Sequence, residues 1–380
     1  MRRWIVMGCL LFVPAAFASL PESKPADVGM DAAKLGEIDS AVGEAIEGGK
    51  TPGAVVVVVR SGKVVFRKAY GKRAVAPKDE AMTLDTIFDL ASLTKPIATA
   101  TAIVQLARLG KLRLDDPVGK HLPAFAGDKE PITLAQLLLH TSGLPGGNAV
   151  ADYAEGWDAA LVKIAALKRK PADEKFVYSD LGYIVLGAIV EKVAGVGLDA
   201  YTAKHVFAPL GMADTSFGPL KDKARLARTA PTEKIDGVYL RGIVHDPRAR
   251  KLGGVAGHAG LFGTADDLAL FAQMLLDGGK LGDKRFLAAA DVDLLTKGRK
   301  VPGGERSYGW DVRTAYSSNR GDLFAGFGHT GFTGTSIWID PPTKITVIVL
   351  TNRVHPDGKG NVIRLRSRIA TIVARAVTKR

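Results

Sequence analysis

Ser92-Leu93-Thr94-Lys95 begins a stretch, 92–109, that we predict to be a helix ended by Gly110. Pro96 is compatible with this helix because it falls in the first turn, where the amide that proline lacks has no intrahelical partner. Residues at positions i and i+3 lie on one face of a helix, so the Lys95 amine is expected beside the Ser92 hydroxyl. A serine hydroxyl is a weak nucleophile that needs such a neighbour. The pattern therefore predicts a nucleophilic serine; an N-cap serine followed by a surface lysine is the alternative.

The segments on both sides of this helix predict how the chain folds. A β-branched run at 54–59, a turn and a second run at 64–69 predict a hairpin. Further strands are predicted at 335–340 and 344–351, and helices at 31–48, 134–140, 180–194 and 361–378. We expect an α/β (α+β) fold, in which an antiparallel sheet built from both termini is flanked by helices and a mostly helical domain is inserted. The predicted boundaries are 19–90 with 301–380 for the sheet domain and 91–300 for the helical domain.

A second candidate group, Tyr178-Ser179-Asp180, stands at the start of the helix predicted at 180–194. In an extended segment residues two apart point the same way, so Tyr178 and Asp180 can face one cleft. A lysine ammonium stabilises a nearby phenolate, which allows Tyr178 to act as a base. The alternative role for Asp180 is the N-cap of the following helix, because aspartate is among the residues preferred there.

A third candidate group, His329-Thr330-Gly331, stands just before the first C-terminal strand. Gly331 removes a side chain where a substrate backbone needs room to lie close. His329 or Thr330 is placed to bind a substrate carboxylate. The alternative is a turn that leads into the strand.

The composition and the first residues predict an exported globular protein. The chain has 380 residues, of which 47% are hydrophobic and 24% charged, so it can bury a sizeable core. Met1-Arg2-Arg3, an apolar run from Trp4 to Phe17 and the pattern Ala16-Phe17-Ala18 predict a signal peptide at 1–18, cleaved after Ala18. An uncleaved anchor, or a lipid on Cys9, is the alternative. We expect a periplasmic or secreted protein with no cysteine in its mature part.

Charge and motif spacing exclude several function classes. The net charge of +13 favours contact with an anionic membrane or cell wall, whereas the scattered basic residues and the export signal argue against nucleic acid. The histidines show no H-x-x-x-H spacing and 253–260 lacks the Lys and Ser/Thr of a phosphate loop, so we expect no metal and no cofactor. No G-x-S-x-G nucleophile elbow occurs. His258 is a further candidate for substrate contact, and His140 is expected to stabilise a loop at a helix end. The oligomeric state stays open.

The three groups, in this order, resemble the motifs of the serine β-lactamase and penicillin-binding family, which are S-x-x-K, Y-x-N or S-x-N, and K-T-G. The resemblance is to the class C-like branch in particular, which includes class C β-lactamases, D,D-carboxypeptidases and related esterases. Supporting stretches that also resemble this branch are LLLHTSGLP at 137–145, GGVAGHAG at 253–260, Tyr308-Gly309-Trp310 and Asn352-Arg353. The resemblance extends over nearly all of the mature chain.

The resemblance implies a role for each candidate residue. Ser92 attacks a carbonyl and becomes acylated, while Lys95 and Tyr178 shuttle its proton and Tyr178 activates the deacylating water. The backbone amides of Ser92 and Phe332 form the oxyanion hole. The residues implied to bind substrate are Asp180, His329, Thr330, Gly331 and Phe332.

Two positions depart from the family pattern. Asp180 stands in place of asparagine, and a carboxylate cannot donate hydrogen bonds as an amide does. His329 stands in place of lysine; with an ordinary pKa near 6.5 it is mostly neutral at pH 7 and holds a carboxylate less strongly. Both departures argue against an efficient β-lactamase.

We therefore predict an exported serine hydrolase that acts by acyl transfer through acyl-Ser92. The predicted substrates are cell-wall peptides, cleaved by D,D-carboxypeptidase-like chemistry. An esterase or a weak β-lactamase on the same fold is the first alternative. A non-catalytic peptidoglycan-binding protein is the alternative from another class.

Overall fold

The computed structural model of the chain describes residues 19–127, 131–315, 320–322 and 325–378. The signal peptide predicted at 1–18 lies outside the described residues. The α-helices, in chain order, are α1 (Ala32–Glu47), α2 (Thr101–Arg108), α3 (Leu134–Leu139), α4 (Trp157–Ala165), α5 (Asp180–Ala194), α6 (Leu198–Thr202), α7 (Ala208–Leu210), α8 (Lys223–Arg228), α9 (Pro247–Lys251), α10 (Ala265–Leu276), α11 (Ala289–Thr296) and α12 (Ile363–Arg375).

Most of the strands belong to one antiparallel sheet. The strands are β1 (Gly53–Arg60), β2 (Lys63–Ala74), β3 (Glu80–Ala81), β4 (Phe88–Asp89), β5 (Ser216–Phe217), β6 (Lys234–Ile235), β7 (Val238–Tyr239), β8 (Leu261–Gly263), β9 (Lys280–Leu281), β10 (Lys284–Arg285), β11 (Arg299–Val301), β12 (Gly304–Arg306), β13 (Asp311–Arg313), β14 (Phe327–Thr330), β15 (Ser336–Asp340) and β16 (Ile345–Thr351). In the described part of the chain the sheet has nine strands in the order β11-β12-β13-β14-β15-β16-β1-β2-β3. Because β1 pairs with β16, both termini build the sheet, as the sequence predicts.

Strand β1 lies at the centre of this architecture, and its sequence explains why. All eight of its residues are buried, because helices cover both faces of the sheet. Val55, Val57 and Val59 join the core on one side, against which α10 packs. The residues that alternate with them, Ala54, Val56 and Val58, join the core on the other side, together with α1 and α12. Each fully buried valine contributes about 1.5–3 kcal/mol, so this strand anchors both layers.

The local signals in the sequence correspond closely to the observed elements. The Asp31 side chain accepts hydrogen bonds from the Ala33 and Lys34 amides, which confirms the predicted cap of α1. The first hairpin strand and both C-terminal strands are confirmed within one residue, whereas the second hairpin strand continues to Ala74, five residues beyond its predicted end. The proposed domain boundaries stay a prediction, and β11 begins two residues before the predicted boundary at 301. Within the described ranges, no single helix is both long and apolar enough to cross a membrane, although the bent pair Asp180–Ala194 and Leu198–Leu210 passes the same length and composition criteria.

Candidate active site

The segment around Ser92 is not the continuous α-helix that the sequence predicts. A 3₁₀ turn at Ala91–Leu93 is followed by a π-helical stretch at Lys95–Ala100 and only then by α2. Ala91 has a positive φ of 47°, which the Asp89 carboxylate fixes by accepting a hydrogen bond from the Ala91 amide at 2.9 Å. Such backbone strain persists where the surroundings impose it, and here it precedes the candidate nucleophile. The tight turn still brings the Ser92 and Lys95 side chains onto one side.

The Lys95 ammonium lies fully buried beneath Ser92 and contacts three acceptors. It donates to Ser92 Oγ at 3.0 Å and to the His258 carbonyl at 3.0 Å, and it pairs with Asp180 Oδ1 at 2.8 Å. Burial lowers the pKa of Lys95, but the negative charge of Asp180 and the neighbouring Tyr178 outweigh burial, so the pKa is raised above its ordinary value. Lys95 is therefore an ammonium in the resting site, and its side chain also hydrogen-bonds with Tyr178.

Asp180 faces this ammonium and does not cap its own helix. The Ser179 hydroxyl is the N-cap of α5, where it accepts a hydrogen bond from the Gly182 amide at 3.3 Å and donates to the Pro145 carbonyl at 2.6 Å. The alternative prediction that Asp180 caps the helix is therefore wrong. Burial raises the pKa of Asp180, but Lys95 and His258 outweigh burial and hold the pKa below its ordinary value. The ionised carboxylate is thus the counter-charge of Lys95.

Tyr178 lies between the lysine and two imidazoles. Lys95 Nζ is 5.0 Å from the centroid of the phenol ring. The His140 and His329 rings lie 4.6 Å and 5.9 Å from the same ring, centroid to centroid. Both Tyr178 and Asp180 line the cleft above Ser92, as expected from their spacing in an extended segment.

The third motif borders the cleft at the end of β14. The loop after it is tied to the chain that precedes Ser92, because Thr333 Oγ1 donates to the Asp89 carbonyl at 2.6 Å and Thr335 Oγ1 to the Leu90 carbonyl at 3.0 Å. A Cβ on Gly331 would lie 2.1 Å from Thr335 Oγ1 and 2.5 Å from the Leu90 oxygen. Close packing within the chain therefore requires glycine here, and space for substrate is not needed to explain it.

His329 does not supply a positive charge to the cleft. Burial, together with the charges of Arg306 and Lys95, lowers the pKa of His329 well below 6.5. Its Nδ1 lies 2.9 Å from the Thr330 carbonyl, so the ring is held against its own strand. The imidazole is therefore neutral at pH 7, which strengthens the argument made from the sequence.

The two amides implied for the oxyanion hole lie on the walls of the same cleft. Ser92 and Phe332 both line it, and within the described ranges neither backbone amide donates a hydrogen bond to another residue. The Phe332 side chain is 62% exposed, between the His245 ring at 5.5 Å and the Arg353 guanidinium at 4.4 Å from the ring centroid. An oxyanion therefore has two available donors at this place.

The cleft that unites these groups has a volume of about 680 Å³. The predicted residues that line it are Ser92, Tyr178, Asp180, His329, Thr330, Gly331 and Phe332, and Lys95 lies buried beneath its floor. The structure thus brings together the eight residues to which the family resemblance assigns catalytic or substrate-binding roles. A volume of this order accommodates a peptide-sized or drug-sized substrate.

Comparison with known proteins identifies the family. The model of the beta-lactamase family matches residues 38–371. The chain belongs to the beta-lactamase family. It is 31% identical to an Escherichia coli (strain K12) protein with the provisional name D-alanyl-D-alanine carboxypeptidase, over 93% of this chain and 92% of that protein. It is 34% identical to the N-acetylmuramyl-L-alanine amidase of Bacillus subtilis (strain 168), over 85% of this chain and 81% of the relative.

A solved structure of a hydrolase is also similar. EstCE1, a hydrolase with promiscuous acyltransferase activity, superposes with a TM-score of 0.71 at 26% identity, over 90% of this chain and 98% of EstCE1. The chain is therefore a serine hydrolase of the beta-lactamase family with the fold predicted from its sequence.

Arg306 is a cleft residue of this beta-lactamase-family chain that sequence reasoning missed. Its side chain is buried on β12, yet it lines the cleft. Its Nη1 lies 3.8 Å from Asp311 Oδ1, while its Nε and Nη2 find no hydrogen-bond partner within the described residues. Arg306 lies two residues before the family stretch Tyr308-Gly309-Trp310, but this stretch does not indicate which way a preceding arginine points.

A buried histidine–aspartate pair also borders the site. His258 Nε2 lies 2.9 Å from Asp246 Oδ1, and both side chains line the cleft. The sequence singled out His258 for substrate contact, whereas its side chain is 1% exposed and its carbonyl holds Lys95. No cluster of three or more His, Cys, Asp or Glu residues that is suited to a metal ion occurs within the described part of the chain.

Proposed function

We propose that this protein is an exported serine hydrolase that cleaves cell-wall peptides by D,D-carboxypeptidase-like acyl transfer through Ser92. The observation that carries the proposal is the 3.0 Å contact between Lys95 Nζ and Ser92 Oγ at the floor of a peptide-sized cleft that Tyr178 also lines. The name of the Escherichia coli relative, a D-alanyl-D-alanine carboxypeptidase, supports this choice of reaction, and the name of the Bacillus subtilis relative refers to a different amide bond, between N-acetylmuramyl and L-alanine.

The charge of Lys95 decides how the nucleophile is activated. An ammonium paired with Asp180 has no lone pair to accept the Ser92 proton. We therefore assign the proton acceptor to Tyr178, whose side chain hydrogen-bonds with the adjacent ammonium and whose ring centroid lies 5.0 Å from Lys95 Nζ. As Ser92 Oγ attacks the substrate carbonyl, the Ser92 and Phe332 amides receive the developing oxyanion, and the proton passes on to the leaving amine.

Deacylation uses the same groups in the reverse order. Tyr178 takes a proton from a water molecule that attacks the acyl-Ser92 carbonyl. As the bond between this carbonyl and Ser92 Oγ breaks, the same proton returns from Tyr178 to Ser92 Oγ, next to the Lys95 ammonium, and the acid product is released. Asp180 keeps Lys95 cationic in both steps. The aspartate that stands here in place of the family's asparagine therefore favours Lys95 as the cation and Tyr178 as the proton acceptor.

Arg306 is the group that we propose to hold the substrate carboxylate. The third motif cannot do so by charge, because His329 is neutral. Arg306 places a permanent cation on the cleft wall, close enough to lower the pKa values of both His329 and His140, and two of its nitrogens have no partner within the described residues. A peptide with a free C-terminal carboxylate brings a charge complementary to Arg306, and a neutral ester does not.

Arg306→Met is expected to raise KM for an acyl-D-Ala-D-Ala peptide by about 10- to 100-fold, since a hydrogen bond to a charged group contributes about 1.5–3 kcal/mol. For Arg306→Lys, KM for the same peptide should lie between the values of the unmodified protein and of Arg306→Met. The control is a neutral p-nitrophenyl ester, whose KM should change far less, and steady-state kinetics measure both. An equal loss with both substrates would show that Arg306 supports the fold and does not recognise the carboxylate.

Intact-mass spectrometry of the purified protein, after exposure to a penicillin or to a fluorophosphonate, tests the proposed function. We expect both reagents to form an adduct that digestion locates on Ser92. If the signal peptide is cleaved after Ala18, the measured mass will be that of a chain that begins at Ser19, so the same spectrum tests export. No adduct with either reagent would leave the peptidoglycan-binding alternative.

An esterase is the second candidate, favoured by the likeness to EstCE1. It predicts an adduct with the fluorophosphonate alone and turnover of neutral esters that does not depend on Arg306. Rapid release of the penicillin adduct, with measurable hydrolysis of the lactam, would instead indicate a weak β-lactamase.

A further inference from the structure

His140 ends α3 in a backbone conformation that residues with a side chain rarely adopt. Its φ of 60° and ψ of 35° lie in the left-handed region, at a helix end where glycine is usual. Its side chain is nevertheless 1% exposed and packed within the core next to the cleft. Glycine or asparagine would end the helix with less strain, so the cap alone does not account for a histidine here.

The two hydrogen bonds that His140 accepts bracket Tyr178. The Val177 amide donates to the His140 carbonyl at 3.0 Å, and the Ser179 amide donates to His140 Nδ1 at 2.9 Å. The residues immediately before and after Tyr178 are therefore both fixed to His140. This pair of bonds restricts the backbone dihedrals that aim the phenol into the cleft.

The imidazole also packs directly against the phenol. The two ring centroids are 4.6 Å apart with an interplanar angle of 31°. Tyr183 packs on the same imidazole at 5.1 Å and donates from its hydroxyl to the Leu138 carbonyl at 3.1 Å. The imidazole is thus held in a fixed orientation beside Tyr178.

The electrostatic surroundings keep the His140 ring neutral, and the hydrogen bond from Ser179 selects its tautomer. Burial, followed by the charges of Arg306 and Lys95, lowers the pKa of His140 well below 6.5, so the ring is neutral at pH 7. Because Nδ1 accepts from the Ser179 amide, the proton resides on Nε2. A protonated ring would carry a hydrogen on Nδ1 and lose that bond.

We infer that His140 is a positioning residue for Tyr178, which it holds through its carbonyl, its Nδ1 lone pair and its ring. The inference rests on the proposed function, since His140 acts on the reaction only through Tyr178. The sequence led us to expect only that His140 stabilises a loop at a helix end. The inference adds that His140 orients the side chain of Tyr178, which transfers the proton.

The test compares His140→Phe, which keeps a ring but removes the acceptor, with His140→Asn, which keeps an acceptor and tolerates the left-handed backbone. The lifetime of the acyl-enzyme is measured with a p-nitrophenyl ester by stopped-flow absorbance and intact mass. We expect His140→Phe to lengthen this lifetime about 10- to 100-fold, because the Ser179 amide loses its partner. His140→Asn should restore it to within about 10-fold of the unmodified protein.

A double-mutant cycle with Tyr178→Phe separates positioning from general stabilisation. We expect His140→Phe to add less than a twofold effect once the phenol hydroxyl is gone. His205→Phe is the matched control, because His205 packs on Tyr201 at the same 4.6 Å centroid distance and does not line the cleft. It should leave the acyl-enzyme lifetime unchanged.

Each outcome decides between the inference and its alternatives. An equal lengthening with and without Tyr178→Phe, or no lengthening by His140→Phe, would overturn the inference. If Tyr178→Phe alone leaves the acyl-enzyme lifetime unchanged, the proposed role of Tyr178 is wrong, and the inference about His140 is rejected with it. If His140→Phe does not fold, His140→Asn and His140→Gly provide the same comparison, because both suit the backbone and only asparagine offers an acceptor.

Discussion

Ser92→Ala is expected to lower kcat by about five to six orders of magnitude, the loss typical of removing the nucleophile of a serine hydrolase. The hydroxyl is the only group of Ser92 that contacts Lys95, and the ammonium keeps its bonds to the His258 carbonyl and to Asp180. The free energy of unfolding should therefore fall by no more than about 1 kcal/mol. Active-site titration and thermal unfolding on the same preparation measure the two effects.

Ser336→Ala is a matched control for this experiment. Its hydroxyl is likewise hydrogen-bonded, donating to the Val349 carbonyl at 3.4 Å, but Ser336 is buried within the sheet and does not line the cleft. It should keep the activity of the unmodified protein. Residual turnover of Ser92→Ala at more than about a hundredth of the normal rate would remove Ser92 from the mechanism.

The sequence predicts the fold well wherever local chemistry decides the structure. The valine run of β1 is apolar throughout because both faces of the sheet are covered, and Asp31 caps α1 with bonds to its own first turn. The left-handed Gly195 ends α5 where the sequence places its end. In such cases the partners lie within a few residues or within one strand pair, so spacing alone identifies them.

The sequence is less informative wherever distant segments meet. The 3₁₀ and π geometry around Ser92 depends on Asp89 and on bonds to the third-motif loop, some 240 residues away. Arg306 enters the cleft from β12, and His140 contacts Tyr178 across 38 positions of sequence. Asp180 illustrates both cases. Its residue type locally suggests a helix cap, but Ser179 is the cap of α5, and the Asp180 carboxylate instead pairs with the distant Lys95.

Lys95→Met is expected to affect both catalysis and stability, because Lys95 and Asp180 form a pair in which the lysine is fully buried. Loss of the ammonium removes the group that hydrogen-bonds to Ser92 Oγ and lies beside Tyr178, and we expect kcat to fall by about 10²–10⁴. Asp180 keeps 26% of its side chain exposed. The free energy of unfolding should therefore fall by about 2–3 kcal/mol, less than the roughly 3–5 kcal/mol typical of fully buried pairs. Steady-state kinetics and urea denaturation measure these two losses.

Lys95→Met combined with Asp180→Asn separates the two effects of the lysine. The amide needs no counter-charge, so most of the lost stability should return. Activity should not return, because Ser92 and Tyr178 still lack the neighbouring ammonium. Asp180→Asn alone should leave Lys95 with a lower pKa, since the negative charge that chiefly raises this pKa is gone. Recovery of activity together with stability in the double variant would mean that Lys95 serves the fold and takes no part in proton transfer.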